Sequence, residues 1–174
     1  MRNNYNFSHN NHSQTLIPTN MNIVIRIATR KDLLAIQSLM DVLNRERAQG
    51  FTPKNRAFHQ RIKPYAKVTA GMIRREIFIV AEIKNLIVGF VRGSLDRRAS
   101  YALSRLGSID EVCVIIKHRG RGVAKRMLIA LDGELKKRGC DHLTTHTDWE
   151  NRAARALYHS YGMNEATVEF WKKL

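Results

Sequence analysis

Cysteine is nearly absent from this chain: Cys113 and Cys140 are the only two, and neither has the spacing of a disulfide framework or a zinc-ligand set. Neither a stapled scaffold nor a structural metal is expected. No apolar run approaches a membrane span, and residues 1–20, rich in Asn, Ser and His, lack the apolar stretch of a secretory signal. The protein is expected to stay in the cytoplasm, off the membrane. Internal repeats are missing too. Acid is the scarce charge: 15 Asp and Glu stand against 30 Lys and Arg, a formal net charge of +15. Such an excess draws polyanions or acidic partners by long-range attraction, but it names no reaction. Residues 21–100 hold most of it.

What is present reads as a flexible tail over residues 1–20 and a single domain over 21–174, since 174 residues make one core. Ile23, Ile25 and Ile27 alternate with Asn22, Val24 and Arg26 as in a strand. Thr29 then offers an N-cap, and Leu33, Ile36, Leu39, Met40 and Leu43 keep helical spacing up to Gln49. Pro53 can open a second helical stretch reaching about Arg75. Ile77 to Ile83 and Leu86 to Val91 are β-rich runs joined by Lys84-Asn85, the length of a tight hairpin turn. Asp96 to Ser100 reads as a loop, and a further strand runs from about Arg105 to Ile116. The period then changes: Val123, Met127, Leu131 and Leu135 stack at helical spacing until Lys136-Lys137-Arg138-Gly139. A strand from His142 to Thr147, a helix from Asn151 to Tyr161 and a last strand from Thr167 to Trp171 complete the chain. This order predicts an α/β fold with a mixed central β-sheet flanked by helices.

The apolar strand ending at Ile116, the turn with Gly120 and Gly122, and the helix that follows make an anion site, because unpaired N–H groups and the helix dipole point at it. Gly122 and Ala124 are small enough for the backbone to close on phosphate oxygens, and Arg119, Arg121 and Lys125 add charge. A dinucleotide fingerprint would need a third small residue where Lys125 stands, and a P-loop would need a Gly-Lys-Ser/Thr that never occurs. On these residues alone, a plain glycine turn with solvated arginines remains an equal alternative.

Arg119-x-x-Gly122-x-Ala124, following Glu111-Val112-Cys113-Val114, resembles the (Gln or Arg)-x-x-Gly-x-(Gly or Ala) signature of the GNAT superfamily of N-acetyltransferases. Asn151, Ala154, Leu157, Tyr158 and Gly162 resemble the pattern that follows the family's fifth strand, and Ile25-Arg26 with Asp32 resemble its beginning. The likeness covers residues 22–174. Ile116, where the family often has proline, and Met163, where it often has phenylalanine, depart from it. The resemblance implies a GNAT-like acyltransferase fold with acetyl-CoA as co-substrate. It places the pyrophosphate on Arg119, Gly120, Arg121, Gly122, Val123, Ala124 and Lys125. Backbone groups near Val114 and Ile116, together with the Asn151 side chain, would hold the pantetheine arm.

Acetyl transfer to an amine needs a deprotonated amine, a polarised carbonyl and a proton for the thiolate. Tyr158, two helical turns after Asn151, is the candidate acid, with ordinary aromatic packing as the alternative. Glu111 is the candidate base, matching a carboxylate often present at that family position. Asp110 adjoins it, and strand alternation lets only one of the two face the cleft. Pairing of Glu111 with an arginine is the competing reading, and a water chain could replace it as base. His142 and His146 lack a third partner, so no metal is expected. Cys113 has no His-Asp support, which points to direct attack in a ternary complex without a covalent acyl-enzyme. The acceptor is expected to be a small-molecule or peptide amine, net negative because Lys54 to Arg75 carries seven basic residues and no acid. The contrasting reading is a basic nucleic-acid-associated module with a vestigial or regulatory CoA site.

Overall fold

In a computed structural model the described residues are 22–49, 67–96 and 105–167. The strand expected at Thr167 to Trp171, the tail, and the helical stretch from Pro53 to residue 66 lie outside them, apart from Thr167 itself. Strand β1 (Ile23–Ile27) leads through a 3-10 turn into helix α1 (Leu33–Gln49). A short helix α2 (Ala70–Arg75) precedes strands β2 (Ile77–Ile83), β3 (Leu86–Asp96) and β4 (Leu106–Val114). Helix α3 (Val123–Lys137), strand β5 (His142–Thr145) and helix α4 (Arg152–Ser160) follow. The five strands form one sheet in the order β1-β2-β3-β4-β5. Its first three pairings are antiparallel, and β4 with β5 is parallel across α3. The sheet is therefore mixed, as the element order predicts, and helices flank it.

Alternation along β2 builds both layers. Ile77, Ile79 and Ala81 enter the core against Val123, Met127, Leu128, Leu131 and Leu135 of α3. Phe78 and Val80 enter the opposite core with Phe90 of β3 and Ile36, Leu39 and Met40 of α1. The i, i+4 stack expected on α3 is this buried stripe, and emptying it at Leu131 would cost about 3 kcal/mol. Gly107 of β4 lets α3 lie close, because a Cβ there would come within 2.7 Å of Leu135 Cδ1.

The entry into α1 is fixed by charge. Asp32 accepts from Arg26 Nη1 and Nη2 at 2.8 Å each and from the Thr29 N–H at 2.7 Å. The Arg26 hydrogen bond, chief among these, pulls the buried Asp32 carboxyl down to about 2. Depression of a folded-state acid contributes about 2 kcal/mol above the usual carboxylate range, and the contribution is lost as pH falls through about 2.

Two boundaries differ from the sequence reading in a way that matters. β3 runs on to Asp96, past its expected end at Val91, because β4 pairs with it along that whole length. β4 stops at Val114, and Ile116–His118 forms a 3-10 turn. Isoleucine has strand propensity, but the chain must turn there to reach α3 on the other side of the sheet.

Candidate active site

The β4–β5 ladder ends at the pair Ile109↔Thr145, whereas β4 continues to Val114. Beyond Ile109, β4 runs on without a β5 partner because β5 ends at Thr145, which leaves a gap in the ladder on that side. The Ile115 N–H donates to Val88 O at 2.9 Å, so alternation turns the backbone groups of Val112 and Val114 away from β3 and into the gap. Val114 thus has no strand partner on that side among the described residues, and its carbonyl takes the Arg119 side chain instead. Ile116 is off this edge: it lies in the 3-10 turn, 73% exposed, with its carbonyl accepting from the Arg119 N–H at 3.1 Å.

Below this edge the turn into α3 has Gly120 at φ 70° and Gly122 at φ 72°. Both sit in the left-handed region, where a Cβ is strained, and a Cβ built at either would meet nothing within 4 Å. Gly122 is the N-cap and offers no side-chain cap, and the first α-helical bond of this turn runs from Arg126 N–H to Gly122 O at 3.1 Å. The N–H groups of Val123, Ala124 and Lys125 therefore precede any helical acceptor. The buried Val123 side chain pins this end to the core.

The basic residues around the turn have work of their own. Arg119 Nε donates to Val114 O at 2.7 Å, and its Nη2 reaches both Glu46 oxygens at 2.7 and 2.8 Å, tying the end of β4 to α1. Lys125 Nζ donates to Ser160 O at 2.6 Å, at the C-terminal end of α4. Arg121 is exposed. The structure thus brings Gly120, Gly122, Val123 and Ala124 together as a backbone cradle, braced by Arg119 and Lys125.

A bulge decides the orientation of the carboxylates. Arg92 pairs with Glu111 and Gly93 with Ile109, which leaves Asp110 as the extra residue. Strict alternation fails at this point. Ile109, Val112 and Val114 pack on the α3 side while Cys113 packs on the α1 side. Glu111 forms a close ion pair with Arg92 Nε and lies 3.9 Å from Arg47 Nη1 of α1. Arg92 in turn donates to Glu76 Oε2 at 2.8 Å, making a ladder of alternating charge from α2 to α1. These acidic partners hold the Arg92 guanidinium above its ordinary range against the desolvation that opposes them. Burial pushes the Cys113 thiol up to about 11, and its Sγ is 3.5 Å from Leu39 O, which keeps it neutral and inert.

Tyr158 packs partly buried against the α3-side core, and its hydroxyl lies 3.5 Å from Thr145 Oγ1, where the β4–β5 ladder ends. Burial raises its proton affinity, and the Thr145 hydroxyl and the charge of Arg47 partly offset that. Asn151 caps α4, its Oδ1 accepting from the Ala154 N–H at 3.1 Å. Tyr161, one turn on, donates to Leu128 O at 3.2 Å as a packing residue. Among the described residues no group of three or more His, Cys, Asp or Glu could hold a metal.

The family model of the Acetyltransferase (GNAT) family matches residues 37–163, which include the end of the β4–β5 ladder, the glycine cradle and α4. The chain belongs to the GNAT family. A mycothiol acetyltransferase of Thermobispora bispora is 32% identical over 92 residues, 53% of this chain and 31% of that protein. An acetyltransferase of Sodalis glossinidius is 29% identical over 57% of this chain and 66% of its own length. The chain thus spans less than two thirds of either curated relative. A solved structure of aminoglycoside N-acetyltransferase AAC(6')-Iy in complex with CoA superposes with a TM-score of 0.66 at 19% identity, covering 91% of this chain and 99% of that one. A ribosomal-protein-alanine N-acetyltransferase from Brucella melitensis biovar Abortus 2308 gives 0.62 at 18% identity over 87% of this chain and 99% of that one. At such identities the likeness is one of fold. Within this GNAT domain the sequence reading missed Arg92, Arg47, Glu46 and Thr145. Only their positions in space mark them, since each meets its partner across a long stretch of chain.

Proposed function

We propose that this chain is an acyl-CoA-dependent N-acetyltransferase that moves an acetyl group from acetyl-CoA to a primary amine by direct attack in a ternary complex. The observation that carries this reading is the one-sided edge of β4 at Val112 and Val114, opening beside a glycine cradle at a helix N-terminus. Acetyl-CoA fits both parts and supplies a thioester. The cradle N–H groups of Val123, Ala124 and Lys125 suit its pyrophosphate, and the Val112 and Val114 backbone suits its amide-bearing arm.

In this reading an edge N–H of β4 polarises the thioester carbonyl. Tyr158 Oη donates the proton that the departing sulfur takes up, and burial keeps the phenol protonated until then. Asn151 caps α4 through its Oδ1 and, in this reading, serves the pantetheine arm with its side-chain N–H groups. Glu111 is committed to Arg92, with Arg47 beside it, so we assign it to hold these arginines on the acceptor side and leave the amine's proton to water. The acceptor is net negative in this reading. Support comes from Lys67 just before α2 and Arg74 and Arg75 within it, all exposed, and from the charge of Lys54, Arg56, Arg61 and Lys63, which lie outside the described residues.

A panel of acceptors followed by release of free CoA thiol tests the reading. Acidic peptides or phosphorylated amines should turn over fastest, with efficiency falling as salt is added. Best activity on a polyamine or an aminoglycoside would overturn the acceptor charge. Salt-sensitive RNA binding with no thiol release from any acceptor would overturn the enzyme reading in favour of a nucleic-acid-associated module.

A further inference from the structure

We infer that Thr145 is a positioning residue for Tyr158, its hydroxyl hydrogen resting on the Ile109 carbonyl and turning to the phenol oxygen as that oxygen loses its proton. This rests on the assignment of Tyr158 as the acid. Thr145 is the last residue of β5 and the last to pair with β4, so it stands where their ladder ends. Its Oγ1 donates to Ile109 O at 3.0 Å and lies 3.5 Å from Tyr158 Oη, at the outer limit of a hydrogen bond. A threonine hydroxyl has one hydrogen, so at rest it goes to the shorter contact. The phenol is then held only weakly by Thr145, and its own hydrogen stays available to the gap.

The balance changes once the reaction begins. The amine nitrogen forms the amide C–N bond and sheds a proton to water. The C–S bond breaks, and the sulfur takes the proton of Tyr158 Oη, which water later restores. For that interval the oxygen is a phenolate, and hydrogen bonds to a charged acceptor are roughly twice as strong as neutral ones. The Thr145 hydrogen therefore favours Tyr158 over the neutral Ile109 carbonyl. A contact that is poor in the resting state and good in the charged state accelerates the step, because it stabilises the transition state more than the ground state. Of the charged groups near the phenol, Arg47 of α1 favours the phenolate, whereas Glu111 of β4, 3.9 Å from Arg47 Nη1, would oppose it and is paired with Arg92.

Thr145→Val, Thr145→Ser and Tyr158→Phe test this together. In protein carrying 13C at the tyrosine Cζ atoms, the Tyr158 resonance is the one lost in Tyr158→Phe, and its titration needs no substrate. Thr145→Val should move that titration to higher pH and lower kcat about tenfold, with KM for acetyl-CoA changed less than about twofold. Thr145→Ser, which keeps the hydroxyl, should return both most of the way. An unmoved titration with kcat within about twofold of the parent would overturn the inference, as would equal losses in the two Thr145 variants. Full turnover in Tyr158→Phe would instead remove the acid assignment, and the inference with it.

Discussion

The two halves of β4 show how one strand can be scaffold at one end and site at the other. Leu106 to Ile109 pair with β3 on one side and β5 on the other, and Gly107 lies under Leu135 with no room for a methyl group. Every backbone group there has strand neighbours. Asp110 to Val114 keep β3 alone, with Asp110 bulged out of the ladder. Apart from the Val114 carbonyl, which accepts from Arg119, this edge can offer backbone groups to a ligand, which a doubly paired strand cannot. The bulge carries Glu111 to the face of Arg92 and Arg47, so charge gathers at the same end. Binding capacity follows from where the hydrogen-bond ladder stops.

Substitutions at four positions test this contrast. The largest effect belongs to Gly122→Glu, beside the open half. A carboxylate about 4 Å from a phosphate at an effective dielectric near ~20 costs about 4 kcal/mol, so calorimetric CoA affinity should fall a hundredfold or more. Gly122→Ala separates strain from charge: at φ 72° it should destabilise the fold by about 1 kcal/mol and weaken CoA less than tenfold. If the two variants bind CoA alike, the cradle does not hold the phosphates.

Tyr158→Phe comes next and acts on chemistry alone. Loss of a general acid should lower kcat about 100-fold, with CoA affinity nearly unchanged because the ring still fills its place in the core. A drop under about twofold would make Tyr158 a packing residue.

Gly107→Ala tests the closed half. The added methyl meets Leu135 Cδ1 at 2.7 Å in a filled core, so thermal unfolding should report a loss of about 1–3 kcal/mol while CoA affinity of the folded protein stays put. Equal damage to binding and stability would mean that the halves of β4 are not independent.

The smallest effect is expected for Glu111→Gln. It removes one carboxylate from a ladder in which Arg92 retains Glu76, so stability should fall by about 1 kcal/mol and kcat less than tenfold. A loss of 100-fold or more in kcat, with a changed pH dependence, would restore Glu111 as the base.

Much of this was legible in the sequence because it is local. The stripe Val123, Met127, Leu131 and Leu135 is spaced for one helical face, and it is buried as that spacing requires. Gly120 and Gly122 mark the turn before α3, and there both adopt the positive φ that glycine permits. The helix expected from Asn151 to Tyr161 is α4, with Asn151 as its N-cap. The bulge at Asp110 was not legible, since nothing in Ile109-Asp110-Glu111 distinguishes a continuous strand from an interrupted one, and the alternation argument assumed the former. The end of β4 was overextended for a similar reason: Ile115 and Ile116 have strand propensity, but the turn to α3 overrides it.

Local pattern accounts for the order of elements, the apolar faces of β2 and α3, and the glycine cradle before α3, because each depends on residues within a few positions of one another. Long-range packing ends the β4–β5 ladder at Ile109↔Thr145, joins Glu46 to Val114 through Arg119, and sets Thr145 between Ile109 and Tyr158. Those contacts join side chains far apart in the chain, with Arg119 and Glu46 separated by 73 residues. Their geometry follows from the register of the sheet and the packing of helices on its two faces, which no local pattern encodes.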